Sequence, residues 1–356
     1  MLDRLSSLRT KLRTLNLDAL LIHFLPNQRY LTGFSGSNGV TLITQDHFVL
    51  ITDNRYREQV KQEVEKADTC IALKNILDPI KKNNLLKGCD RIGFEADHMP
   101  FSSFSRLKNL FPDKKLVATE NIIEKLTVVK TEKEIDDIRH AAQIAVNVWD
   151  AVLPLICAGA TELDLAAELS YQAKRKGAEG DAFDAIVASG ERSALPHGSP
   201  TTKTVQHGEL IVFDFGFKVN GFCSDITRTV SLGEPSPIQK RVYEAVKEAH
   251  ALAVASVEPD MMAADLDAIA RDKLAALGFD EEFSHSLGHG LGLDVHSFPR
   301  IGKNSKDKIP TGSVITIEPG VYLPGQCGVR IEDDILIGPE KGEILTPLSR
   351  ELIVID

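Results

Sequence analysis

LIVFDFGFKVNGFCSDITRTV, residues 210–230, is the stretch on which the reading of this chain turns. Asn220-Gly221 is a strong signal for a two-residue hairpin turn, and a hairpin centred there sets Asp214 opposite Thr227 and Gly216 opposite Asp225. Side chains alternate between the two faces of a strand, so Phe213, Phe215 and Phe217 share one face with Phe222, Ile226 and Val230. That apolar face is expected to pack on a core. Asp214 and Asp225 then project together from the other face as diagonal neighbours, roughly 7–8 Å apart at Cα. Like charges held so close repel unless a cation lies between them. A surface hairpin with two solvated aspartates fits the same stretch, and the rest of the chain has to decide between the two.

Helix signals flank the hairpin. Thr131 and Glu134 form a capping-box signature ahead of an amphipathic run to Leu155, and a second helix runs from Thr161 to Gly177. A similar pair recurs at Pro237–Val257 and Met262–Leu277, ending at Gly278. Sliding the chain by about 101 residues aligns Gly177 with Gly278, Asp164 with Asp265, Leu165 with Leu266 and Ala167 with Ala268, which suggests an internal duplication. Each helix pair precedes strand-rich sequence, 183–230 and 313–337. Residues 126–356 are therefore expected to form an α+β domain of two related halves, with helices backing one curved, largely antiparallel sheet.

Residues 1–125 read as a smaller α/β domain. A leucine-spaced helix to Leu15 precedes strand-like runs at 19–24, 40–44, 48–52, 70–73, 91–94 and 116–118, with helices expected at 56–66, 76–86 and 101–110. TGFSGSNG at 32–39 lacks the lysine of a phosphate-binding loop and is read as a loop between strands. The length of 356 residues suits two domains, and 43% hydrophobic with 26% charged residues suits a globular chain. A net charge of -10 argues against nucleic acid or anionic lipid as partner. Five scattered cysteines without a CxxC pair indicate neither a disulfide framework nor structural zinc. With no secretory or membrane-spanning apolar run, a cytoplasmic protein is expected.

Three further stretches carry chemistry. HSLGHGLGLDVH brings His285, His289 and His296 within twelve residues, interleaved with glycines that exclude a stable helix and are expected to let backbone approach a ligand closely. Ser286 stands where the glutamate of an HExxH zinc motif would be, so that site is not supported. VITIEPG and GVRIEDDILIG place Glu318 and Glu332 in β-branched runs that ought to be buried, where an unpartnered carboxylate costs several kcal/mol. Edge strands with outward glutamates would escape that cost. Arg330, two residues before Glu332, points to the same side and supplies a compensating cation. Two aspartates, two glutamates and a histidine suit a pair of divalent ions such as Mn²⁺, Co²⁺ or Zn²⁺.

In this order, ALPHGSPT, IVFDFG, FCSDITRT, HSLGHGLGLDVH, TIEPG and VRIEDDILI resemble the proline-specific metallopeptidases of the pita-bread fold, the aminopeptidase P and prolidase family. NQRYLTGFSGSNG is similar to that family's opening domain. The resemblance implies two divalent ions, Mn²⁺ above all, with Asp214 on one, His289 and Glu318 on the other, and Asp225 and Glu332 bridging both. It implies that His197 and His296 face the substrate, that His285 and Arg330 line the pocket, and that Glu318 shuttles a proton to the leaving nitrogen. Ser297 departs from the acidic residue that usually follows the second motif histidine. The expected activity is removal of Xaa from Xaa-Pro peptides by a metal-bridging hydroxide, in a homodimer whose partners are proline-containing peptides. Xaa-Pro dipeptidase (prolidase) is the alternative. Methionine aminopeptidase, and metal-free relatives that act as binding modules, stand further off.

Overall fold

The described residues of the computed structural model run from Arg4 to Asp356, and the chain divides into two compact units between Thr127 and Val128. In the first unit, six strands form one sheet in the order 68–72, 48–53, 39–44, 19–22, 91–95, 115–119. Strand 39–44 pairs antiparallel with both its neighbours, and the other three pairings are parallel. The helix expected over 56–66 shortens to Gln59–Glu63, because Val64 turns to extended backbone, and that over 76–86 shortens to Asp78–Lys82, ended before the left-handed Asn84. A helix not foreseen, Leu25–Thr32, begins with a proline in its first turn and is closed by Gly33 at φ 82°.

The second unit has the two halves that the sequence implies, but its strands form two larger sheets of four and five strands and two small ones, rather than one continuous sheet. Helices Glu132–Val152 and Glu162–Arg175 bury their apolar stripes on strands Ile186–Ser189, Glu209–Phe215 and Ile226–Leu232. Trp149 meets the rings of Phe213 and Phe215 at 5.4 and 6.0 Å. Helices Pro237–Ser256 and Ala263–Ala276 do the same for strands Val314–Ile317 and Asp333–Ile337. Pairing within this unit is antiparallel except where Ile353–Ile355 joins Val230–Leu232 in parallel.

The hairpin register is the one read from the sequence: Asp214 lies opposite Thr227, and Phe215 opposite Ile226. Phe213, Phe215, Phe217, Ile226 and Val230 share one core cluster, whereas Phe222 turns aside to pack with Ile135, Ile138 and Ala142. The ladder breaks where Gly216 should face Asp225. Ser224 Oγ accepts from the Phe217 N–H there, and the Asp225 N–H is taken by Asp334 Oδ2 at 3.0 Å. A Cβ on Gly216 would lie 1.9 Å from the Ser224 carbonyl oxygen, so only glycine fits. Gly216→Ala is expected to lower unfolding free energy by more than about 3 kcal/mol, read by denaturant titration, because the clash is with backbone that cannot swing away.

Candidate active site

Asp214, Asp225, His289, Glu318 and Glu332 line one pocket of about 610 Å³. His197, His285, His296 and Arg330 line it too. The first half contributes the two aspartates, one within strand Glu209–Phe215 and one just before Ile226. From the second half, Glu318 follows strand Val314–Ile317, and Glu332 lies between strands Cys327–Arg330 and Asp333–Ile337. Both glutamates thus sit at strand ends, not within the β-branched runs. His289 occupies the short strand Gly288–Gly290, whose glycines allow close approach of neighbouring backbone, and Gly288 also lines the pocket. A Cβ on Gly288 would lie 2.1 Å from the Thr316 carbonyl, and one on Gly290 1.9 Å from that of Phe298.

Acceptors converge at the pocket floor. Ligand-type atoms of Asp225, His289 and Glu332 all lie within 4.8 Å of one another. His289 Nδ1 is 3.1 Å from the Gly290 carbonyl, to which it can only donate, so the bare lone pair of Nε2 faces Glu318 at 3.5 Å and Asp225 at 3.7 Å. Burial, with His296 beside it, lowers the His289 pKa to about 4, which keeps the ring neutral. Asp214 Oδ1 is buried without a hydrogen-bond partner. Burial, then the neighbouring Glu332 and Asp214 charges, push Asp225 well above the usual carboxylate range. Burial and Asp214 push Glu332 up to about 8. Lone pairs converging on one dry spot, where the carboxylates repel one another, fit a set of oxygen-preferring divalent ions.

Around this floor run donors that fix Glu332 and Asp214. Thr227 Oγ1 donates to Glu332 at 2.6 Å, and Arg330 Nη2 donates to Asp214 Oδ2, also at 2.6 Å. Arg330 also donates to Thr227, the Pro196 carbonyl and Tyr322. Tyr322 Oη lies 3.0 Å from His285 Nε2, whose Nδ1 is 2.8 Å from the Ser286 carbonyl. His285 and Arg330 therefore reach the pocket wall with their polar atoms engaged inside the protein. His296, by contrast, is exposed, its ring 4.5 Å from that of His289, and His197 is exposed as well. Sequence reasoning missed Thr227, Tyr322 and Arg300. Thr227 was within reach, since the hairpin register sets it beside Asp214. Arg300 is the cross-strand partner of His289 and lines the pocket, which no local pattern announces.

Residues 136–339 match metallopeptidase family M24, and residues 4–129 match the creatinase/prolidase N-terminal domain. The chain belongs to metallopeptidase family M24. It is 39% identical over 339 residues to an Xaa-Pro dipeptidase of Pyrococcus horikoshii, covering 95% of each chain. Among solved structures, an Xaa-Pro dipeptidase from Bacillus anthracis superposes with a TM-score of 0.95 at 37% identity, covering 99% of each chain. An X-Pro aminopeptidase from Thermotoga maritima gives 0.88 at 38% identity, over 96% of this chain and 99% of that one. The two-half unit is thus a pita-bread domain, and M24 membership implies divalent metal ions.

The raised carboxyl pKa values of this M24 peptidase have a measurable sign. A group whose pKa is higher folded than unfolded binds more protons in the folded state, so metal-free protein should lose stability as pH rises from about 4.5 towards 8. Cations compete with those protons. Metal binding near pH 7 should therefore release protons and stabilise the fold more at pH 8 than at pH 5. Calorimetry in buffers of different ionisation enthalpy checks the first expectation, and thermal unfolding with and without chelator the second.

Proposed function

We propose that this M24 hydrolase is an Xaa-Pro dipeptidase working with two divalent ions, Mn²⁺ in the first instance. The observation that carries the dipeptidase reading is Arg300. It lines the same pocket as the five acceptors, and among the described residues no carboxylate pairs with its guanidinium. A dipeptide places a free carboxylate just beyond its single peptide bond, and a planar guanidinium is suited to hold one bidentately. The relatives named dipeptidases support the same choice over the aminopeptidase expected from sequence. The five unpaired cysteines suit the reducing cytoplasm. Residues 1–125 are assigned to the N-terminal domain and 126–356 to the catalytic one.

In this reading Asp214, Asp225, His289, Glu318 and Glu332 would together hold the two ions, with Asp214 on one, His289 and Glu318 on the other, and Asp225 and Glu332 shared. Bound there, the ions supply Lewis acidity towards the scissile carbonyl and lower the pKa of water towards neutrality. Arg330 holds Asp214 in place through Oδ2 and leaves Oδ1 free for an ion. His197 and His296, free at the pocket edge, donate to the oxygen on which charge develops. Glu318 carries the proton to the leaving nitrogen. An Xaa-Pro bond is a tertiary amide without an N–H, so a site that makes no demand for that donor admits it. Arg300 orients the product proline by its carboxylate.

Purified protein with Mn²⁺ should be offered Xaa-Pro, Xaa-Pro-Yaa and Xaa-Ala peptides. Xaa-Pro should be cleaved fastest, and preference for Xaa-Pro-Yaa would restore the aminopeptidase. Arg300→Ala should cost about 10–100-fold in kcat/KM on Xaa-Pro, with little change on the tripeptide. Asp225→Asn or Glu332→Gln should remove most activity together with metal, read by metal analysis after dialysis. His296→Ala should keep its metal and lose about 10²–10³ in kcat.

A further inference from the structure

His197 sits at the top of the loop from Ser189 to Thr201, and among the described residues no hydrogen bond holds its imidazole. Its place in the pocket is therefore set by the loop backbone. That loop is anchored by a group far from the acceptor cluster in sequence. Glu162 opens the helix Glu162–Arg175 and is fully buried. Its Oε1 accepts from the backbone N and the Oγ of Ser189 at 2.8 and 3.0 Å. Its Oε2 accepts from the backbone N and the Oγ1 of Thr201 at 3.0 and 2.8 Å. Arg192 Nε lies 3.2 and 3.0 Å from the two oxygens, and its Nη2 donates to the Ser199 carbonyl at 2.5 Å. Burial opposes the Glu162 charge, but the donors from Ser189 and Thr201, together with Arg192, prevail and hold its pKa below the usual range.

One carboxylate thus grips both ends of the loop and its middle, and closes it into a ring. Further up, the Ser193 Oγ accepts from the Gly328 N–H at 2.8 Å, and the Pro196 carbonyl accepts from Arg330 at 3.1 Å. The other half repeats the device with different residues. Buried Asp267 accepts from the Leu287 N–H at 3.0 Å and pairs with Arg271, which donates to the Phe283 and His285 carbonyls at 2.9 Å. In both halves a buried acid on the second helix, paired with an arginine, steers a segment that delivers histidine to the pocket.

We propose that Glu162 is a positioning residue for His197: by holding Ser189 and Thr201 together it fixes where that imidazole meets the substrate. This inference rests on the reading of His197 as an oxyanion donor. Glu162→Gln preserves volume but turns an amide NH₂ towards the donors of one loop end. It should fold, retain the wild-type metal content and KM, and lose roughly 10–100-fold in kcat on Xaa-Pro, since small misplacement of a reacting group has effects of that size. His197→Ala should show a comparable loss, and the double variant should be no worse than His197→Ala, because the two residues act as one unit. Thr201→Val, which keeps the carboxylate and drops one donor, should give a smaller loss of the same kind that also vanishes in the His197→Ala background, and it decides the matter if Glu162→Gln does not fold. Wild-type kcat in Glu162→Gln, or in Thr201→Val should Glu162→Gln not fold, overturns this inference alone, as do losses that add to that of His197→Ala. Full activity in His197→Ala overturns the oxyanion reading of that histidine and this inference with it.

Discussion

Like-charged carboxylates do not share a dry pocket unless something positive shares it with them, and this constraint shapes the second unit. Asp225 and Glu332 are 4% and 2% exposed, so water does little to screen them. The fold answers by giving Glu332 and Asp214 dedicated donors in Thr227 and Arg330, and by holding Asp225 through its backbone. The run Glu332-Asp333-Asp334 shows the division of labour. Glu332 turns into the pocket, and Asp334 turns back to the Asp225 N–H. Asp333 accepts from Arg228, Thr346 and Arg350 at 2.6–2.8 Å. Arg228 in turn donates to the carbonyls of Thr227 and Glu332, tying the strand that follows Asp225 to the residue that completes the site. Cation and anion are both buried in that outer layer, which is tolerable only because their geometry is well satisfied.

The part of this arrangement that was legible in the sequence is the part written in short-range pattern. Asn220-Gly221 fixed a register, and the register fixed which aspartates could meet. The capping box at Thr131 marked a helix start because it satisfies backbone donors locally, and the structure closes a like box at Thr161. What escaped depends on tertiary approach. Nothing around Tyr322 or Arg300 signals that one will bridge His285 to Arg330 and the other pair across from His289. The break opposite Gly216 also escaped, because the residue that claims the Asp225 N–H lies more than a hundred positions away. The five-residue helices of the first unit were overestimated for a related reason: apolar spacing continues past the point where Val64 and Asn84 leave helical backbone.

The suspected duplication is visible in the backbone itself. Helix Glu162–Arg175 returns as Ala263–Ala276, 101 residues on, and the left-handed glycine after each is Gly177 and Gly278. The bridge between Thr161 and Thr204 has its counterpart between Met262 and Lys308. Side chains have diverged where backbone has not. The buried acid is Glu162 in one half and Asp267 in the other, and they are not equivalent positions, since Ala263 stands where Glu162 would recur.

This division into halves reaches the pocket floor. One half brings the two aspartates to that floor, with His197 at the pocket edge, while the other brings His289 and both glutamates. An ion seated among them is therefore a fastener across a seam: its affinity depends on how well the halves are joined, and by reciprocity its own binding free energy is lent to the join. A half-length fragment would inherit a sheet and its helices, but neither the seam nor a reason to hold the ion.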